Sequence, residues 1–372
     1  MNSEIITQAL REVEESDRAL AAAFERRLDA IKVIAEYRRE HGIPVPAEPD
    51  GGERAQELSA VITDAEKRPY YMSFFQGALS ASEKYHRRIM QGVRVAYTGV
   101  KGAFANIAAS RIFPDGEMVS YPDFAASYTA VERGECDCAV LPIENSYAGE
   151  VGQVIELMFS GTLYIGGVYS LRVKHNLLGL RGATPSGVKK VVSHPQALHQ
   201  CAPYIQAHGY ECIQETNTAV AAQRVAEGGD PTVAAIASAE TAKLYGLEVL
   251  DHDINESGDN TTRFAVFSRT PNIDEDHRDR SRFLLMFILQ NVPGALASAI
   301  NVISSYGFNM KVIRSRPIKE PAWEYYFYVE AEGDEESENG RRMISELRQH
   351  CRVLKVVGHY SDDIRLGASS II

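Results

Sequence analysis

Between residues 5 and 41 the chain has neither glycine nor proline, while Leu20, Phe24, Leu28, Ile31 and Ala35 recur at three- and four-residue intervals. An uninterrupted run of this length with one apolar stripe reads as a single amphipathic helix. Gly42 and Pro44 end it, the segment PVPAEPDGG follows, and two more helical stretches run from about Glu53 to Asp64 and from about Pro69 to Met90. Residues 1–91 are therefore expected to be all helix. Arg27 and Arg38 lie about 20° apart around the first helix and about 16 Å apart along it. Guanidinium groups turned inward among apolar neighbours suit a dicarboxylate, although a solvated charged stripe has the same appearance in sequence.

At Gly92 the pattern changes. VRVAY is a short β-branched run, GVKGAFANIAASRIF is a glycine turn opening a helix, and CDCAVLPIENS is a buried strand running into a polar loop. Strand and helix alternate through LYIGGVYSLRV, KKVVSHPQALHQCAPYIQAHG and TVAAIASAETAKLYG to TRFAVFSR, which makes residues 92–271 an α/β region. The charged stretch NIDEDHRDRS, residues 272–281, marks a linker. From about residue 280 to 372 the elements read strand, helix, strand, strand, helix, strand, the order of a ferredoxin-like α+β sandwich.

Net charge is -11 with a pI near 5.5, so a nucleic-acid surface is a poor expectation, while a local arginine cluster can still hold a small anion. The five cysteines lack zinc-like spacing and suggest reduced thiols in a cytoplasmic setting, with Cys136 and Cys138 as buried strand residues. No apolar run is long enough to span a membrane. His175 and His194 have no metal-ligand spacing, and Walker, GxGxxG, GxSxG and HExxH motifs are absent, so neither metal nor cofactor is expected. Polar residues gather at strand ends instead: Glu144-Asn145-Ser146, Ser193-His194-Pro195-Gln196, Thr216-Asn217-Thr218 and Asn260-Thr261-Thr262-Arg263. Open α/β sheets bind ligands outside the carboxyl ends of strands, and hydroxyls, amides and one arginine can make an anion site; each segment alone also suits a helix cap or turn. In the last region, Asn291-Val292-Pro293-Gly294-Ala295-Leu296 is a turn whose following helix offers free amides to a carboxylate.

LPIENSYAGEV, SHPQAL, NTA and TTRFAVF resemble, in the same order, the motif series of the prephenate dehydratases. NVPGAL, with SRP after FNM, is similar to the phenylalanine-binding ACT domain attached to those enzymes, and DRALAAAFERRLDAIKVIAEYRRE with PYYMSFFQGALSASEKYH resembles the all-helical chorismate mutase domain. The resemblance covers nearly the whole chain. It implies a helical mutase domain, a two-lobed α/β dehydratase domain converting prephenate to phenylpyruvate, water and CO2, and an ACT domain for feedback by phenylalanine. Arogenate as substrate, or a catalytically weak effector-sensing protein, is the alternative. A solute-binding module also has two α/β lobes, but carries no appended sandwich.

Carried over residue by residue, the resemblance makes Thr262 the proton donor or water positioner. Arg263 would anchor a carboxylate or brace the loop, and Asn145 and Ser146 complete the polar lining. Gly102, Glu144, His194, Gln196, Thr218 and Phe264 would bind substrate. Arg11, Arg27, Arg38, Ser82 and His86 would form the mutase site, and Asn291, Gly294, Ala295, Leu296, Ser315 and Arg316 the effector site. The chain departs from the family at Ala105 and Asn217, where hydroxyls are usual, and at His86, which replaces a glutamine. It departs also in the loop Asp50 to Arg54, where two charges are swapped, and at Arg314, which replaces a glutamate. A homo-oligomer, dimer or tetramer, is expected.

Overall fold

The computed structural model describes residues 3–41, 43, 52–271, 281–318, 324–361 and 364–367, and the chain falls into two compact units, Met1–Val93 and Arg94–Ile372. The Asp50–Arg54 charge swap and residues 272–280 of the expected linker lie outside what can be described. In the first unit α1 (Ser3–Glu40), α2 (Gly52–Ser59) and α3 (Arg68–Gln91) are the helices read from periodicity. The second stretch stops earlier than expected, at Ser59, and Asp64 then caps a short 3-10 turn that leads into α3.

The second unit opens with a first lobe: β1 (Arg94–Thr98), α4 (Phe104–Ile112), β2 (Glu117–Tyr121), α5 (Phe124–Glu132), β3 (Cys138–Asn145), β4 (Gly149–Glu150), α6 (Gly152–Ser160) and β5 (Tyr164–Arg172). The chain crosses to a second lobe made of β6 (Asn176–Gly179), β7 (Lys190–Ser193), α7 (Pro195–Gln200), α8 (Ala202–His208), β8 (Glu211–Gln214), α9 (Thr218–Gly228), β9 (Val233–Ala237), α10 (Ala239–Tyr245) and β10 (Glu248–Asp251). It returns through residues 252–260 to β11 (Thr261–Ser268) in the first sheet. Then follow β12 (Ser281–Leu289), α11 (Ala295–Ser305), β13 (Asn309–Pro317), β14 (Tyr325–Glu332), α12 (Glu338–His350), β15 (Cys351–Ser361) and β16 (Ile364–Leu366).

Among the described residues the strands form three sheets, ordered β16-β5-β11-β3-β1-β2 with β4 on the end of β3, β10-β6-β9-β7-β8, and β13-β14-β12-β15. The last is the antiparallel sandwich expected from the element order. The sequence reading ends at VLKVVGHY and misses β16, which returns to the first sheet and runs parallel to β5.

RFLLMFIL is apolar at every second position and also between them because β12 is covered on both faces. Leu284, Met286 and Ile288 join Ala265 and Phe267 of β11, while Phe283, Leu285 and Phe287 join Ala299, Ile303, Met343 and Leu347 of the two sandwich helices. The sandwich sheet thus lies directly on the back of the first lobe. At Gly358 the approach is so close that a Cβ would stand 2.3 Å from the carbonyl oxygen of Ile165.

Candidate active site

Alternation along strands decides which motif residues meet. β11 runs antiparallel to β3 and pairs Thr262 with Asn145, so the polar residues 260–263 sit at the amino end of β11 and still reach the carboxyl end of β3. Thr262 and Asn145 are both nine-tenths buried and face the junction between the lobes.

Asn145 has a fixed orientation. Its Oδ1 accepts from the backbone N–H groups of Tyr147 (3.0 Å) and Ala148 (2.9 Å), so its Nδ2 donates to Thr262 Oγ1 (2.9 Å) and Asn260 Oδ1 (2.8 Å). Asn260 must then turn its Nδ2 outward, and it donates to Gln200 Oε1 at 3.0 Å. The same oxygen lies 2.9 Å from His175 Nε2, which therefore carries the proton. Five side chains from both lobes and both crossovers form one directed chain. Its electrostatics follow from burial: His175 is held below the usual histidine pKa mainly by desolvation, and so stays neutral. At the chain's other end Thr262 Oγ1 accepts from Asn145, leaving its own proton for a ligand.

Asn260 belongs to one of the polar strand-end segments read from sequence, whereas Gln200 and His175 were not expected in the site. Gln200 had a signal, since it lies four residues after Gln196 on one helical turn.

Several expected site residues are elsewhere. Arg263 and Glu144 alternate with Thr262 and Asn145, so they point to the opposite face, toward the sandwich. Arg263 pairs with Glu330 of β14 (2.9 and 3.2 Å) and Glu144 (3.1 Å), Arg282 reaches Glu330 at 3.0 Å, and Arg314 pairs with Glu144. Glu330 is wholly buried; desolvation alone would raise its pKa, but Arg263 and its other donors hold it below the ordinary carboxylate value. Ser146 is exposed and its hydroxyl is spent on the crossover, donating to Asp259 O and accepting from Thr261 N, each at 3.0 Å. Phe264, 2% exposed, is part of the buried core of β11. The Gly102 amide is taken by Asn106 Oδ1 (3.0 Å) and its carbonyl by Thr241 Oγ1 of the second lobe (2.9 Å), so this glycine joins the lobes and offers no free amide. His194 caps α7 through Gln196 N at 3.2 Å. Gln196 is half-buried, and Thr218 is buried at the start of α9.

In the first unit Arg27 Nε donates to Ser82 Oγ (2.9 Å) and Arg38 Nη1 approaches His86 Nε2 (3.5 Å), with Ser82 and His86 buried. Four of five expected mutase residues therefore converge. Arg11 does not: it is exposed, and sixteen residues of helix put it about 24 Å from Arg27.

In the sandwich a cavity of about 320 Å³ is lined by Asn291, Ala295, Leu296 and Ser315, and also by Phe327, Glu324 and Arg352, which sequence reasoning passed over. Arg316 is not part of it. On β13 it alternates with Ser315, and its Nε donates to Glu150 at 2.9 Å. Gly294 opens α11 beside the cavity with φ +83°.

Among the described residues there is no cluster able to hold a metal ion, and no helix is long and apolar enough to cross a membrane.

A family model described as prephenate dehydratase matches residues 95–272. The chain is 34% identical to arogenate dehydratase/prephenate dehydratase 2, chloroplastic, of Arabidopsis thaliana, over 84% of this chain and 83% of that one. It is 29% identical to the bifunctional chorismate mutase/prephenate dehydratase of Aquifex aeolicus, over 96% and 98%. Among solved structures, a prephenate dehydratase from Arthrobacter aurescens in complex with L-Phe superposes with a TM-score of 0.67 at 25% identity, covering 72% of this chain and 90% of that one. With the motif order, the two lobes and these relatives in agreement, the chain belongs to the prephenate dehydratase family.

Proposed function

We propose that the lobe junction binds prephenate and that Thr262 donates a hydrogen bond to the 4-hydroxyl as it leaves. Loss of carboxylate and hydroxyl together makes the ring aromatic, so the driving force resides in the substrate. The protein has to hold the dianion and assist the departing oxygen. A threonine hydroxyl does not titrate near neutrality and acts here as an oriented, desolvated donor. The observation that carries this reading is the direction of the amide chain, since two backbone N–H groups fix Asn145 and thereby leave the Thr262 proton unspent. The experiment is phenylpyruvate formation by wild type and Thr262→Ala, whose turnover is expected to fall by about 10² to 10⁴ with the fold intact. Unchanged turnover would remove Thr262 from the reaction.

We divide the chain into 1–91, 92–271 and 280–372 and give the outer parts mutase and regulatory roles. Arg27, Arg38, Ser82 and His86 suit a dicarboxylate such as chorismate. Phenylalanine suits the sandwich cavity: Phe327 and Leu296 offer apolar surface, while Arg352 and Glu324, ion-paired with each other, are the two charges a zwitterion would have to part or share. The apolar side chains Ile6, Leu10 and Val13 stand exposed on α1, which favours pairing with a second copy. All five cysteines are free, in keeping with a reducing cytoplasm.

A further inference from the structure

Hydrogen-bond donors and acceptors are unevenly distributed on prephenate. Its two carboxylates and keto oxygen only accept, and the 4-hydroxyl is its one donor. Thr262 Oγ1–H and the unpartnered Nε2 of Gln200 offer protons to the accepting groups. A site built only of donors would leave the substrate's own proton without a partner.

One atom of the amide chain answers it. His175 is 3% exposed, its Nε2–H is committed to Gln200 Oε1, and its buried Nδ1 has no hydrogen-bond partner. Because Nε2 must donate, Nδ1 is a bare lone pair. The residue is held at its backbone and at its ring. The backbone N–H of His175 donates to Asn255 Oδ1 at 2.7 Å, its carbonyl accepts from Ile254 N at 2.9 Å, and Phe104 meets the ring edge-on at 5.7 Å. His175 lies on the first crossover and both backbone partners on the second, so the lone pair belongs to the lobe junction and not to a mobile surface. A buried acceptor without a partner costs stability, and native structures keep such atoms chiefly where they have work to do.

We propose that His175 Nδ1 is the acceptor for a hydrogen-bond donor on the substrate, a binding role distinct from its support of Gln200. The proposal rests on the reading of this junction as the dehydratase site. On prephenate the donor is the departing 4-hydroxyl; arogenate adds an ammonium group where prephenate has its keto oxygen.

Two substitutions in the full-length chain separate the roles. The shorter side chain of His175→Asn can place an amide oxygen near the Nδ1 position but loses the donor to Gln200. His175→Gln keeps a donor to Gln200 and loses the acceptor. Steady-state rates with prephenate and with arogenate, alongside thermal melts, are expected to show kcat/KM down about 10- to 100-fold in His175→Gln and less affected in His175→Asn. Equal losses on both substrates identify the hydroxyl as the donor, and a loss on arogenate alone identifies the ammonium. Wild-type levels in His175→Gln, or a larger loss in His175→Asn, would overturn the proposal and leave His175 a support for Gln200. Wild-type turnover on either substrate tests the dehydratase reading separately. Should neither variant fold, the ¹⁵N shift of His175 Nδ1 can be followed in Thr262→Ala as prephenate is added, and an unmoved resonance at saturation would sink the idea.

Discussion

Replacing Arg263 by methionine separates a catalytic arginine from an architectural one. In the structure its guanidinium is mostly buried and holds Glu330, which is completely buried, through two contacts of 2.9 and 3.2 Å. Removing one member of a buried ion pair typically costs about 3 to 5 kcal/mol, because the partner is left charged without compensation. Arg282 remains 3.0 Å from Glu330, so the low end applies. About 3 kcal/mol corresponds to a fall in Tm of roughly 6 to 12 °C for a unit of this size. Turnover measured well below the transition should drop by less than about tenfold, against the 10²-fold or more expected at Thr262. The double variant Arg263→Met/Glu330→Leu should recover most of the lost stability, since neither charge is then stranded. Differential scanning calorimetry and prephenate kinetics on the three variants test this. An Arg263→Met protein with unchanged Tm and turnover down a thousandfold would put the guanidinium back in the cleft and refute the reasoning.

Chorismate conversion by the helical unit should decline as pH rises, with a midpoint below 6.5. Nε2 of His86 faces the donor-only guanidinium of Arg38 and so accepts in the neutral ring; from that position it can donate to an ether oxygen only when the ring is protonated, and burial followed by the Arg38 charge lowers its pKa from 6.5. A rate flat from about pH 5 to 8 would remove His86 from that role. Phenylalanine should bind the sandwich of wild type in calorimetry and inhibit the dehydratase, with a coupling of about 1 to 3 kcal/mol. Gly294→Val should weaken both, and the reason is not crowding: a Cβ there meets nothing within 4 Å, but φ +83° is strained for a β-branched residue. Full inhibition of Gly294→Val would exclude this turn from the effector site. The pKa of His359 is raised above 6.5, chiefly by its 3.1 Å hydrogen bond to Glu335, so its stabilising effect is complete below pH 6.5 and lost as pH rises through the folded value. His359→Gln should therefore narrow the stability difference between about pH 6 and 9; melts whose pH slope is unaltered would contradict it.

The helical start of the chain was legible because nothing but an uninterrupted helix satisfies the spacing of Leu20 to Ala35, and the sandwich because its six elements have distinct periods. Asn145 and Thr262 were legible through their motifs. What those motifs could not supply was the facing of each residue. Glu144-Asn145 and Thr262-Arg263 are adjacent pairs, and in a strand adjacent side chains go to opposite faces. Deciding which member faces the ligand requires knowing what covers the other side of the sheet. Here that is the sandwich, whose β12, β13 and β14 bring Arg282, Arg314, Arg316 and Glu330 up to the back of β3, β4 and β11.

The same alternation operates once more inside the sandwich. On β13 Ser315 lines the cavity, while Arg314 and Arg316 on the opposite face reach Glu150 at 3.4 and 2.9 Å, and Arg314 also pairs with Glu144. Glu144 and Glu150 face each other across the β3–β4 pair, with Asn145 next in register. A ligand touching Ser315 is therefore one peptide unit from two arginines that hold the acidic residues on both sides of the loop that orients Asn145. Arg314 bridges Glu144 and Glu150, each of which has a further arginine partner, Arg263 and Arg316 respectively. The sandwich cavity and the amide chain lie on the outer faces of two stacked sheets, and the layer between the sheets carries the charged contacts of Arg314 and Arg316 with Glu144 and Glu150. A ligand that bound two arrangements of β13 unequally would act first on the contacts of Arg314 and Arg316 with Glu144 and Glu150, the acidic residues that flank the loop whose amides orient Asn145.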